Sequence, residues 1–166
     1  VLSYTKEGKQ RRFIKSAFSQ YLSPTVIETL ISEPNQLKLG GERREISIYF
    51  SDVQGFTTIS EKLAETPEKL SEVLNKYLSS MTEIILETGG TIDKYEGDAI
   101  IAFWNAPLSQ ENHAERALTA AIRCQQKLHE IRDELEQMCG KKIYQRIGLN
   151  TGFAVVGNMG SQSRFD

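Results

Sequence analysis

The chain has 166 residues, of which 39% are hydrophobic and 25% charged; that is apolar content for one domain with its own core, and it excludes a disordered or collagen-like chain. Lys and Arg number 20 against 22 Asp and Glu, so no basic excess is available to neutralise a phosphate backbone, and nucleic acid is not an expected partner. No apolar run approaches the ~18 residues of a membrane span, no signal-peptide pattern opens at Val1, and Cys124 and Cys139 form neither a C-x-x-C motif nor a disulfide framework, which suits a reducing, cytoplasmic setting with no membrane contact in this segment.

In chain order, residues 6–22 carry Phe13, Ile14, Ala17, Phe18, Tyr21 and Leu22 at helical spacing, with Lys9, Arg11, Arg12 and Lys15 as a solvated basic face. Ser23 and Pro24 read as N-cap and first residue of a second, short helix. Past Pro34 and Gly40-Gly41, residues 44–52 alternate Ile46, Ile48 and Phe50 with polar neighbours, the pattern of a half-buried strand. Thr58-Ile59-Ser60-Glu61 matches a capping box and predicts a short helix directly after that strand. Thr66-Pro67 opens a longer helix with Leu70, Val73, Leu74, Tyr77, Leu78, Met81, Ile84 and Ile85 on one face, stopped by Gly89-Gly90. Residues 91–95 and 99–104 are extended and joined across Glu96-Gly97, a hairpin. Residues 109–138 place Ala114, Ala117, Leu118, Ala121, Ile122, Leu128, Ile131 and Leu135 on one helical stripe ended by Gly140, and 143–150 resume a strand. The order β-α-α-β-β-α-β predicts an α+β, ferredoxin-like (βααββαβ) sheet with helices on one face, preceded by a helical lead-in.

Chemistry concentrates in two places. Phe50-Ser51-Asp52-Val53-Gln54-Gly55-Phe56-Thr57 ends an apolar strand in a carboxylate and passes through Gly toward a helix, a turn that aims backbone N–H groups at one spot suited to phosphate. Taken alone, an Asp at a strand end before Gly is usually a turn residue. In Lys94-Tyr95-Glu96-Gly97-Asp98 a second carboxylate sits at a hairpin tip, and in a ferredoxin-like sheet the hairpin and the first strand can be neighbours. Asp52 and Asp98 together can share two divalent ions against nucleotide phosphates. Glu96 reads as a solvated turn residue. His113 and His129 are too far apart for a helical metal pair and are predicted on helix surfaces. Tyr95 and Trp104 read as packing.

The segments 50–57, Asp93-Lys94-Tyr95-Glu96-Gly97-Asp98 and Arg146-Ile147-Gly148-Leu149-Asn150-Thr151-Gly152 resemble, in order and spacing, the class III adenylyl and guanylyl cyclases. The resemblance implies a catalytic domain over 41–166, incomplete at its C-terminal end, and a connector over 1–40 from an upstream sensor. It implies two ions, Mg²⁺ or Mn²⁺, on Asp52, Asp98 and the carbonyl of Val53, activating the ribose 3′-hydroxyl and neutralising the leaving pyrophosphate. Gln54, Gly55, Phe56 and Thr57 would meet the triphosphate, Arg146 the phosphates and Lys94 the purine, where lysine is the adenylyl-type choice and selects ATP. Sites in the family form between two subunits, so a homodimer with shared sites is implied. The family pattern continues past Asp166 with further base-reading and transition-state residues, so the 166 residues alone are expected to turn over little. The competing readings are a non-catalytic cyclase-homology domain, a guanylate cyclase, a diguanylate cyclase, whose Gly-Gly-acid-Glu-Phe hairpin is absent, and a plain ferredoxin-like binding module.

Overall fold

A computed structural model describes residues 21–33 and 41–157, residues 8, 12, 15, 16, 18 and 19, and the backbone of 160–161 and 164–165. The predicted helix over 6–22 therefore lies partly outside the described residues, and residues 8, 12, 15, 16 and 18 within it are helical. Helix α1 (Pro24–Ser32) starts as its sequence demands, with Ser23 Oγ accepting the Val26 N–H and Pro24 in the first turn. Its Val26, Ile27 and Leu30 form a small cluster with Leu22, against which Leu108 packs, and the Ile92 N–H donates to the Tyr21 carbonyl at 2.9 Å.

Four strands, β1 (Glu42–Val53), β2 (Thr91–Glu96), β3 (Ala99–Trp104) and β4 (Gln145–Val156), form one sheet in the order β2-β3-β1-β4. Every pairing is antiparallel, and the order is that of a ferredoxin-like sheet, as predicted. Helix α2 (Phe56–Lys62) follows β1; α3 (Pro67–Glu87) and α4 (His113–Cys139) pack together over one face of the sheet. Tyr77, Met81 and Ile85 of α3 and Cys124, Leu128 and Leu135 of α4 meet Tyr49, Ile100 and Trp104 in the main core. Backbone β5 (Gly160–Ser161) and β6 (Arg164–Phe165) pair with each other.

Several expectations differ from the structure. The alternation in β1 is real, but the helices cover Ser47, Tyr49, Ser51 and Val53; Ile46, Ile48 and Phe50 take the other face, where Phe50 is 53% exposed. A polar residue can occupy the core face here because Ser47 Oγ is hydrogen-bonded to His113 Nδ1 at 2.8 Å and Thr151 Oγ1 at 2.7 Å. For the same reason His113, predicted on a helix surface, is buried: it is the first residue of α4, where the helix meets the sheet. Finally, α2 begins at Phe56, so Thr58 and Glu61 lie inside it and form no capping box; Gly55, at φ +68°, is the N-cap. Helix α4 also starts at His113 instead of residue 109, because Asn105, at φ +79°, and Gln110 tie the preceding loop together. Ala114, Leu118 and Ile122 of its predicted stripe are exposed.

Candidate active site

The strand parity that buries Ser51 and Val53 under the helices turns Asp52 onto the open face of the sheet. Val53 keeps its side chain in the core, so only its backbone is available to chemistry. The β2–β3 hairpin closes at the pair Glu96↔Ala99, with Gly97 at φ +60° and Asp98 completing a two-residue turn of the Gly-first type. That turn sets Asp98 against the end of β1, where its Oδ2 accepts the Val53 N–H at 2.7 Å. The hairpin carboxylate thus stands beside the residue that follows Asp52, and the structure brings the two predicted acids together. Glu96 is exposed, as expected.

Arg146 is the direct cross-strand partner of Asp52 in the β1–β4 ladder. Its guanidinium makes a bidentate contact, Nε to Oδ1 at 2.8 Å and Nη2 to Oδ2 at 2.7 Å. The hydrogen bond and charge of Asp52 push the arginine pKa further up, so it is a permanent cation. Sequence reasoning placed Arg146 at phosphates and missed this partner, which only the register reveals.

The turn after β1 is held by the Gln54 N–H, which donates to the Tyr144 carbonyl at 2.8 Å and is therefore committed within the protein. Gly55 supplies the left-handed conformation the turn needs, and no side chain caps α2, whose first-turn N–H groups at Phe56 and Thr57 have no capping partner. The Phe56 ring packs against the core. Gln54, Gly55, Lys141, Lys142 and Tyr144 line a cleft beside this turn. Lys94 pairs with Ile101, and Ile101 with Phe50, so Lys94 lies on the same open face as Asp52 but two strands away, about 10 Å laterally. Its Nζ stands 3.8 Å from Asp93. The structure does not pair it with Asp52 or Asp98 of its own chain.

Below the acids lies a support the sequence did not reveal. Gln145, paired with Val53, is buried; it accepts the Tyr77 hydroxyl at 2.9 Å and donates to the Cys124 carbonyl at 3.0 Å, tying the start of β4 to both long helices. Tyr77 looked from its spacing like one more apolar residue of α3.

As a donor set, two carboxylates and a backbone carbonyl are hard oxygen ligands, the chemistry of Mg²⁺ or Mn²⁺. Among the described residues no group of three or more His, Cys, Asp or Glu could hold an ion. Such a site fits an ion whose remaining ligands are phosphate oxygens and water.

The family model for the adenylate and guanylate cyclase catalytic domain matches residues 41–166. An adenylate cyclase of Anabaena cylindrica is 36% identical over 160 residues, covering 93% of this chain and 29% of the relative, so the chain spans less than a third of that protein. Among solved structures, the guanylyl cyclase Cya2 superposes with a TM-score of 0.72 at 41% identity, covering 76% of this chain and 64% of that one. The adenylyl cyclase CyaB from P. aeruginosa gives 0.72 at 36% identity, covering 77% and 66%. No helix among the described residues is long and apolar enough to cross a membrane.

Proposed function

This chain belongs to the adenylate and guanylate cyclase catalytic domain family, and from that premise we propose that it is the catalytic domain of an adenylate cyclase, converting ATP to 3′,5′-cyclic AMP and pyrophosphate. The observation that carries this reading is the Asp98 contact with the Val53 N–H, which sets two carboxylates at one strand end. Asp52, Asp98 and the Val53 carbonyl would hold two divalent ions. Bound there, Mg²⁺ or Mn²⁺ neutralises phosphate charge and makes the ribose 3′-hydroxyl acidic enough to attack the α-phosphorus.

The chain's own residues do the rest by binding and orientation. Gly55, Phe56 and Thr57 present backbone N–H groups to the triphosphate, while Gln54 has only its side chain to offer, since its N–H serves Tyr144. Arg146 supplies a fork of donors for phosphate oxygens. Lys94 donates to adenine N1, and its separation from Asp52 within one chain supports a homodimer in which the lysine of one copy faces the acids of the other. Residues 1–40 serve as the connector from an upstream sensor, and the domain works in the cytoplasm, where ATP is available.

The similarity to a guanylyl cyclase at 41% identity favours GTP as the second reading. Incubating the intact protein with ATP or GTP and Mn²⁺, then identifying products by mass, decides between them: cyclic AMP supports the proposal, cyclic GMP the second reading, and no cyclic product a non-catalytic homologue. Lys94→Glu is expected to depress ATP use, because an acid cannot donate to adenine N1.

A further inference from the structure

Asp52 and Asp98 differ in what already holds them. Both oxygens of Asp52 are taken by the guanidinium of Arg146, at 2.8 and 2.7 Å. Asp98 is held by a neutral backbone N–H through one oxygen, and it has no ion-pair partner among the described residues. Two further cations of the open face are engaged elsewhere: Lys94 stands beside Asp93, and Arg44 beside Glu42 and the Asn105 and Pro107 carbonyls. One acid of the pair is therefore guarded by a cation and the other is open.

The guard is built to leave. Arg146 is two-thirds exposed, so its side chain can rotate without unpacking the core. Gly148 is two residues along β4 on the same face, opposite Phe50, and a Cβ there would meet nothing within 4 Å, so space is open beside the arginine. The pair itself is set by register, since Asp52 and Arg146 face each other directly in the ladder.

We propose that Arg146 is the resident counter-ion of Asp52, and that a divalent cation competes with this guanidinium for the same two carboxylate oxygens. This rests on the proposed metal role of Asp52. Occupation of Asp52 by a cation and release of Arg146 toward nucleotide phosphates then become one exchange. Metal and nucleotide bind cooperatively because each accepts a partner that the other sets free. Without phosphate to receive it, the guanidinium holds metal affinity down.

Equilibrium binding of Mn²⁺ to the intact protein, read from the electron paramagnetic resonance of free Mn²⁺, tests this without an activity assay. In the absence of nucleotide, Arg146→Gln is expected to raise Mn²⁺ affinity about fivefold, and Arg146→Lys by less, because a lysine keeps the charge but not the fork. Lys142→Gln removes a charge from the neighbouring cleft, where no ion pair is formed among the described residues, and should leave affinity within about twofold of wild type. A non-cyclisable ATP analogue should tighten Mn²⁺ binding more in the wild type than in Arg146→Gln. Equal affinity of wild type and Arg146→Gln, or an equal rise in Lys142→Gln, overturns the exchange alone. No Mn²⁺ binding by any variant, with or without nucleotide, overturns the metal reading of the site, and the exchange with it.

Discussion

At Asp98 one carboxylate has two separable duties: its Oδ2 accepts the part-buried Val53 N–H, and its charge belongs to the proposed metal site. Asn preserves the acceptor and loses the charge, whereas Ala loses both. Asp98→Asn is therefore expected to melt within about 2 °C of wild type, and Asp98→Ala to lose ~1 to 2 kcal/mol by leaving that N–H unpaired. Both should lose cyclase turnover by about 100-fold or more. Thermal melts beside a cyclic AMP assay check this; equal stability of the two variants would show that the N–H contact carries no weight. The meeting of Asp52 and Asp98 was legible in the sequence because one stands at a strand end before a glycine turn and the other at the tip of a glycine hairpin. The pairing of Asp52 with Arg146 was not, since it joins residues 94 apart and depends on the register of β1 against β4. The burial of His113 escaped for a similar reason: its partner Ser47 is a small polar residue in the middle of a strand.

Between β1, α3 and α4 lies a set of buried acids that never meets water in the folded chain. Burial pushes the Cys124 thiol up to about 11, and raises Tyr49 and Tyr77 above the ordinary phenol range for the same reason. Each holds its proton in the fold and releases it earlier when unfolded. The stability they contribute is therefore complete below about pH 9 and falls as pH rises toward 11, by ~2 to 3 kcal/mol for Cys124 alone. Melting temperature between pH 8 and 11 should decline, and Cys124→Ala should flatten the decline while lowering stability at all pH values through the lost packing. An unchanged slope in the variant would remove Cys124 from this account. Element boundaries around this cluster were legible where a local backbone constraint marks them: Pro67 starts α3, and Gly89 and Gly140, at φ +84° and +70°, end α3 and α4. The strand face was not legible, since alternation reads the same from either side and Tyr49, Ser47 and Ser51 do not announce themselves as core.

For the whole molecule, the proposed homodimer makes a counting prediction. If Asp52 of one copy works with Lys94 of the other, Asp52→Ala and Lys94→Ala are each nearly inactive, yet a mixture forms heterodimers with one intact site of two. Random exchange makes about half the dimers mixed, so activity should return to about a quarter of wild type, measured as cyclic AMP formed after verified subunit exchange. No recovery would place both residues in one chain's site. The ferredoxin-like plan was legible from element order alone, because β-α-α-β-β-α-β with short connections leaves few ways to lay one sheet under two long helices. What element order could not say is which residues stay uncovered at the rim of that sheet. Among the described residues β4 pairs with β1 alone, over its full length, and Leu149, Phe153 and Val155 along it are exposed, as are Leu118 and Ile122 of α4. A long apolar rim with free backbone donors and acceptors is a template for another strand. Copies that met through this rim alone would be joined edge to edge, in clumps that build no active site and ignore the state of Asp52 and Lys94.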